Sequence, residues 1–386
     1  MRIVSATLLA LKIPFVESFR HTAKTRTFSD SIVVRLTAEN GVTGYGEGLA
    51  RPYVTGETVE SSLEYMQKVL WPAIARIDDF EISQNSNPIQ SLASMERSLP
   101  DKRAQGVVAW NAARAAFELA LVDCLLKNQK LSLSKILPPR RTTVIYSGVI
   151  TASATEKVIQ VAKYFKLFGI TQVKVKIDGK NDRKRLLAVR ETMGKDASIR
   201  IDANGAFSLN GAAKILNGLS DIRIDCVEQP IPRGNPSDLA KLKSELKIPI
   251  MTDESLVTVE DAEQLISAKA CDFFNLRISK CGGILRTLQI ARLAQEAGIK
   301  LQLGAQVGET VILSAAGRHV AAYLDRVDFV EGSYGTMLLT EDIGDEKINF
   351  GHGGKAPVLR GEGLGVRVRE EILRKYVDKV IECGKV

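Results

Sequence analysis

The sequence predicts an α/β fold: a (β/α)8-type, TIM-like barrel with an α+β N-terminal capping domain that the C-terminal segment completes. Three observations lead there. From residue 142 on, short β-branched runs alternate with Ala/Leu-spaced segments at a period of about 25 residues. Acidic residues recur at the ends of successive runs. The first 130 residues follow a different, antiparallel pattern.

In chain order, residues 1–130 form the capping domain. "RIVSATLLALKI", "DSIVVRLTAENG" and "VTGYGEG" read as a three-stranded antiparallel meander, followed by helical stretches near 57–77 and 104–127. "LSLSKILPPRRTT" is a linker. Residues 142–350 are the barrel domain, and residues 351–386, Gly-rich and then helical, pack back on the cap. The barrel runs are "TVIYSGVI" (143–150), "TQVKVKI" (171–177), "SIRIDA" (198–203), "IRIDCVE" (222–228), "IPIMTD" (248–253), "CDFFNLRI" (271–278), "IKLQLG" (299–304) and "RVDFVEG" (326–332). Strands that alternate with helices make parallel βαβ units. Eight of them suit a closed barrel better than an open sheet of five or six.

A chain of 386 residues exceeds one ordinary core, which agrees with a large domain plus a smaller one. The composition, 45% hydrophobic and 25% charged, is that of a soluble protein, and no apolar run is long enough for a membrane span. The five cysteines, odd in number and without a C-x-x-C, point to a reducing cytoplasm and away from a zinc site. The net charge of +8 is scattered, as in "KNDRKR" (180–185), so it reads as a solvated surface. Neither a nucleic-acid nor a membrane partner is expected.

Barrel chemistry sits at the C-terminal ends of the strands. Asp202 ends the third run, Glu228 the fourth and Asp253 the fifth, separated by 26 and 25 residues. Lys176 precedes Asp202 by 26, and Arg277 follows Asp253 by 24. The outer face of a barrel strand lies under helices and must be apolar. Val173, Val175 and Ile177 therefore point outward, leaving Lys174 and Lys176 inside; Phe274, Leu276 and Ile278 likewise leave Asn275 and Arg277 inside. Unpaired buried charge is heavily penalised. Acids and bases facing one lumen therefore imply a paired network or a metal site. Three carboxylates without a His or thiolate neighbour suit Mg²⁺, with Mn²⁺ as a substitute. Positive charge near a lysine favours its neutral amine, the form a base needs.

The ordered set "GVTGYGEG" (41–48), "KVK" (174–176), "DANGAF" (202–207), "VEQPI" (227–231), "TDES" (252–255), "KCGG" (280–283) and "GEGLGV" (361–366) resembles the enolase superfamily, in its muconate lactonizing enzyme subgroup, over nearly the whole chain. The resemblance implies that Asp202, Glu228 and Asp253 bind Mg²⁺. It makes Lys176 the base and Lys174 its helper and a contact for the substrate carboxylate. Asn204, Glu254 and Lys280 stand behind them. It also implies specificity loops at 15–27 and 50–58, with Arg20, His21, Lys24 and Tyr53 as substrate contacts. At the eighth strand "VDFVEGSYG" (327–335) departs from the Asp-x-Asp of the family's dipeptide epimerases, and Glu331 stands there as a further candidate. The partner is a small-molecule carboxylate, and a homo-oligomer is expected.

Arg277 stands where the family usually places a second lysine. A guanidinium stays protonated and is a poor second base. The residues therefore favour a one-base reaction with Arg277 as a fixed charge: cycloisomerisation or syn β-elimination, an isomerase or lyase. The alternatives are a racemase or epimerase of a dipeptide or N-acyl amino acid, and a non-catalytic carboxylate-binding relative.

Overall fold

The computed structural model describes residues 1–20, 25–81, 88–102, 104–151 and 154–384. Eight parallel strands, each bonded to the next in chain order, curl into a barrel: Gly148–Ile150, Gln172–Lys176, Ser198–Asp202, Cys226–Glu228, Ile250–Thr252, Phe273–Leu276, Lys300–Leu303 and Phe329–Val330. The amide of Ser147 donates to the carbonyl of Val330 at 2.8 Å and joins the first strand to the eighth. Helices of the crossovers, among them Asp182–Met193 and Ile284–Glu296, follow the strands. Val173, Val175, Ile199, Ile201, Leu276 and Leu303 are buried in the main core, as the parity argument requires.

Several barrel runs are shorter than expected. Of residues 222–228 only Cys226–Glu228 is strand; Ser220–Ile222 is a 3-10 turn, and Arg223 takes a left-handed conformation at φ 59°. The run 143–150 splits in two. Thr143–Ile145 pairs antiparallel with Lys355–Pro357, and only Gly148–Ile150 enters the barrel. β-Branched composition marks an extended segment without saying which sheet takes it.

The cap holds a four-stranded antiparallel sheet rather than a three-stranded meander, because Val377–Cys383 adds itself to the outer edge of Ile3–Leu11. A separate hairpin, Ile13–Arg20 with Thr25–Ser29, projects from the sheet. The second helix spans Asn111–Asn128, seven residues later than its expected start, and Pro88–Glu96 adds a helix not foreseen.

The motif "GVTGYGEG" has a packing reason. A Cβ on Gly44, Gly46 or Gly48 would overlap the backbone of Ala120, Ala116 or Ala112, respectively. Alternate glycines on the strand Thr43–Gly48 meet alanines spaced four apart on the helix, so the two backbones touch. This buries the helix from Asn111 to Leu126 and packs it onto the cap sheet.

Candidate active site

Strand register places the charged residues at one height. Lys176 is paired with Asp202, Asp202 with Glu228, Glu228 with Met251 and Met251 with Phe273. Asp253 thus lies two residues beyond Met251, the register partner of Glu228, and Arg277 four beyond Phe273. In an eight-stranded barrel with a shear of about eight, tilt offsets equal height by about one residue per strand. Four strand steps and four residues agree, so Lys176, Asp202, Glu228, Asp253 and Arg277 ring the same mouth.

The lumen is a salt-bridge network. Lys174 Nζ lies 3.0 Å from Glu228, 2.8 Å from Glu331 and 3.5 Å from Asp202. Lys176 Nζ lies 3.6 Å from Asp202 and donates to Asn204 Oδ1 at 2.7 Å. Arg277 pairs with Asp253 and lies 3.4 Å from Glu228, so its guanidinium bridges the two acids. Lys280, buried on the short helix Ile278–Cys281, donates to Asp253 Oδ1 at 2.8 Å and to the carbonyl of Asn275 at 2.7 Å.

The turns after the strands aim these groups. Asn204 sits at φ 45°, a left-handed conformation that Asn tolerates better than most residues. There its amide donates to Asp202 at 3.0 Å and its side chain donates to Glu254 at 3.2 Å. Gln229, from "VEQPI", accepts from the amides of Asp253 at 3.0 Å and Ser255 at 3.1 Å and so holds the "TDES" turn.

Burial works against the ionised form of every acid here. Glu228 is nevertheless held well below the usual carboxylate range, because Lys174 and Arg277 outweigh burial. Asp202 is pushed up by burial and by Glu228, and Glu254 rises to about 8 through burial and the adjacent Asp253. Lys174 is held charged: burial opposes this, but Glu228, Glu331 and Asp202 prevail.

Among the described residues, no group of three His, Cys, Asp or Glu side chains is gathered closely enough, as arranged here, to hold one ion. The donors themselves suit a hard cation. Asp202, Glu228 and Asp253 offer only oxygen, and Asp202 Oδ2 is buried without a hydrogen-bond partner. A carboxylate whose acidity is weakened by burial and by a second carboxylate is one that an added cation would relieve.

The proposed substrate contacts fare unequally. Tyr53 is 41% exposed at the mouth and feels the charges of Arg277 and Arg51. Arg20 ends a hairpin strand, while His21 and Lys24 lie outside the described residues. Glu331 is buried, and its two oxygens are taken by Lys174 and Arg200, each at 2.8 Å, an arrangement that suits an internal brace.

Three lumen residues escaped the reading by sequence. Arg200 has the inward parity of Asp202 in "SIRID", so alternation could have found it. Gln302, on the seventh strand, donates to Glu228 at 3.1 Å, and an uncharged amide gives no signal of its own in the sequence. Glu309 follows the seventh strand, where burial lifts it to about 8 and Arg277 and Arg51 act on it from nearby; no motif marks it.

A parallel eight-stranded barrel with an antiparallel cap and a ring of acids, lysines and an arginine at the C-terminal strand ends defines a class of barrel proteins with a charged mouth. The family follows. The enolase C-terminal domain-like model matches residues 157–372, and the mandelate racemase / muconate lactonizing enzyme N-terminal model matches residues 3–138. The chain belongs to the mandelate racemase/muconate lactonizing enzyme family of the enolase superfamily. It is 30% identical over 386 residues to an N-succinyl-L-Arg/Lys racemase of Bacillus cereus, covering 97% of this chain and 98% of that one. The crystal structure of that racemase aligns with a TM-score of 0.87 at 28% identity, over 99% of this chain and 100% of the other. A hydrophobic dipeptide epimerase of Enterococcus faecalis is 30% identical, over 83% of this chain and 87% of its own. A muconate cycloisomerase 1 of Rhodococcus opacus is 26% identical, over 97% and 98%.

Proposed function

We propose that the protein is an isomerase that removes and returns the proton α to a carboxylate, with a dipeptide or N-acyl amino acid as substrate. Similarity to racemases and epimerases across the chain supports this reading over cycloisomerisation or elimination, which the sequence put first. The observation that carries it is the placement of Lys176: its amine stands inside the mouth, held by Asn204 at 2.7 Å and 3.6 Å from Asp202. In this reading Lys176 takes the α-proton and Lys174 receives the substrate carboxylate. Mg²⁺, or Mn²⁺, held by Asp202, Glu228 and Asp253 would supply positive charge where the carboxylate gains negative charge. Asn204 and Glu254 orient the base, Lys280 fixes Asp253, and Tyr53 faces the distal part of the substrate.

Arg277 favours a second reading. Burial lowers its proton affinity, but Asp253, Glu228 and Glu254 raise it further, so its net shift is upward. A cation so held stabilises developing negative charge yet is poorly suited to exchange a proton on the second face. One-base elimination or cycloisomerisation would need nothing more. Incubation with Mg²⁺ in D₂O against N-succinyl amino acids and dipeptides separates the two. Deuterium appearing at Cα in both epimers supports the racemase. Exchange or loss at one face without inversion supports the one-base reaction. No exchange with any acid would favour a non-catalytic carboxylate binder.

A further inference from the structure

Beneath the mouth, two buried cations stand side by side. Lys174 and Arg200 are register partners on the second and third strands, and like charges directly opposite one another are destabilising. Arg200 is fully buried; its guanidinium lies 4.1 Å from the centroid of the Phe329 ring and 3.3 Å from the hydroxyl of Ser147. Glu331, one residue past the eighth strand, separates the pair and gives one oxygen to each cation at 2.8 Å. The groups facing Lys174 are Glu228, Asp202, Glu331 and, at longer range, Arg277. Of these anions, Glu228 and Asp202 are the residues assigned to the metal. Glu331 is therefore the one carboxylate there that can stay with Lys174 once an ion has taken the other two.

We infer that Glu331, braced by Arg200, is a positioning residue that holds the Lys174 ammonium off the metal-binding carboxylates. The inference rests on the assignment of Asp202, Glu228 and Asp253 to Mg²⁺. Without the Glu331 charge, Lys174 has Glu228 and Asp202 as its only close counter-ions, and its ammonium competes with the divalent ion for them. Neutralising Glu331 should thus weaken Mg²⁺ binding through Lys174, which a general packing defect would not do.

The test is a calorimetric Mg²⁺ titration of wild type, E331Q, K174M and the double variant, with melting temperatures recorded alongside. E331Q should bind Mg²⁺ at least about tenfold more weakly, and K174M more tightly than wild type. In the K174M background, E331Q should cost no further affinity. Wild-type affinity in E331Q, or an equal loss in both backgrounds, overturns the inference. Should E331Q not fold, K174M decides alone, and weaker Mg²⁺ binding by that variant refutes competition. A wild type that binds no Mg²⁺ removes the ligand assignment itself, an outcome distinct from failure of the Glu331 brace.

Discussion

Buried carboxylates occupy two regions of this molecule and meet different partners. In the lumen they face ammonium and guanidinium groups. At the junction between cap and barrel they face backbone amides. Glu47, on a cap strand, accepts from the amides of Thr310 at 2.9 Å and Leu313 at 3.0 Å, at the start of the helix Val311–Tyr323. Glu118, on the cap helix, accepts from Ile284 at 2.6 Å and Leu285 at 3.2 Å, where Ile284–Glu296 begins. Glu57 does the same for the cap helix itself, through Ala112 and Ala113. Each satisfies amides that a helix start leaves open.

The partner decides the charge. Burial lifts Glu47, Glu57 and Glu118 to about 7, only partly offset by their amide and hydroxyl donors. Glu228, no less buried, is held low by Lys174 and Arg277. Full opposite charges keep an acid ionised in a place where neutral dipoles leave it near its titration point. Glu228 is therefore ready for cation chemistry, whereas Asp202, which burial and Glu228 push up, needs further positive charge, and the junction acids are docking groups.

The comparison breaks first at the base. Lys176→Ala should lower α-proton exchange by about 10²–10⁴-fold, the usual range for a general base, while the junction and the melting temperature stay intact. Activity within tenfold of wild type would remove Lys176 from that role.

Asp253→Asn comes next. It takes one charge from the ring and should weaken Mg²⁺ binding strongly without unfolding the chain. Unchanged affinity by calorimetry would mean that Asp253 is not a ligand.

Within the cap, Gly46→Ala places a methyl group in the backbone of Ala116 and should cost about 1–3 kcal/mol of stability or more, read by denaturant unfolding. A neutral result would show that strand and helix separate cheaply.

The smallest effect is a change of slope. Glu118 rises from 4.5 unfolded to about 7 folded, so the folded state binds the extra proton. Its contribution to stability is full below pH 4.5 and is lost as pH rises through 7. Glu118→Gln should flatten the fall in unfolding free energy across that window by up to about 1.4 kcal/mol per pH unit. Parallel curves for wild type and variant would show that Glu118 stays ionised in the fold.

Alternation and spacing alone determined the barrel, the inward lysines and the acids at strand ends, because a strand's two faces and a βα period are local properties of the chain. Lys174, Lys176, Asp202, Glu228, Asp253 and Arg277 were legible for that reason. Only the tertiary structure decided what lies between distant segments. Barrel closure carries Glu331 to Lys174 and Arg200, from 157 and 131 residues away in sequence. The C-terminal strand Val377–Cys383 finds the edge of Ile3–Leu11 because an open sheet edge needs a partner, a need no local pattern records. Glu47, Glu57 and Glu118 read as ordinary glutamates until folding sets helix starts against them. A side chain's face follows from its neighbours in sequence, whereas its charge and its task follow from what the fold places opposite it.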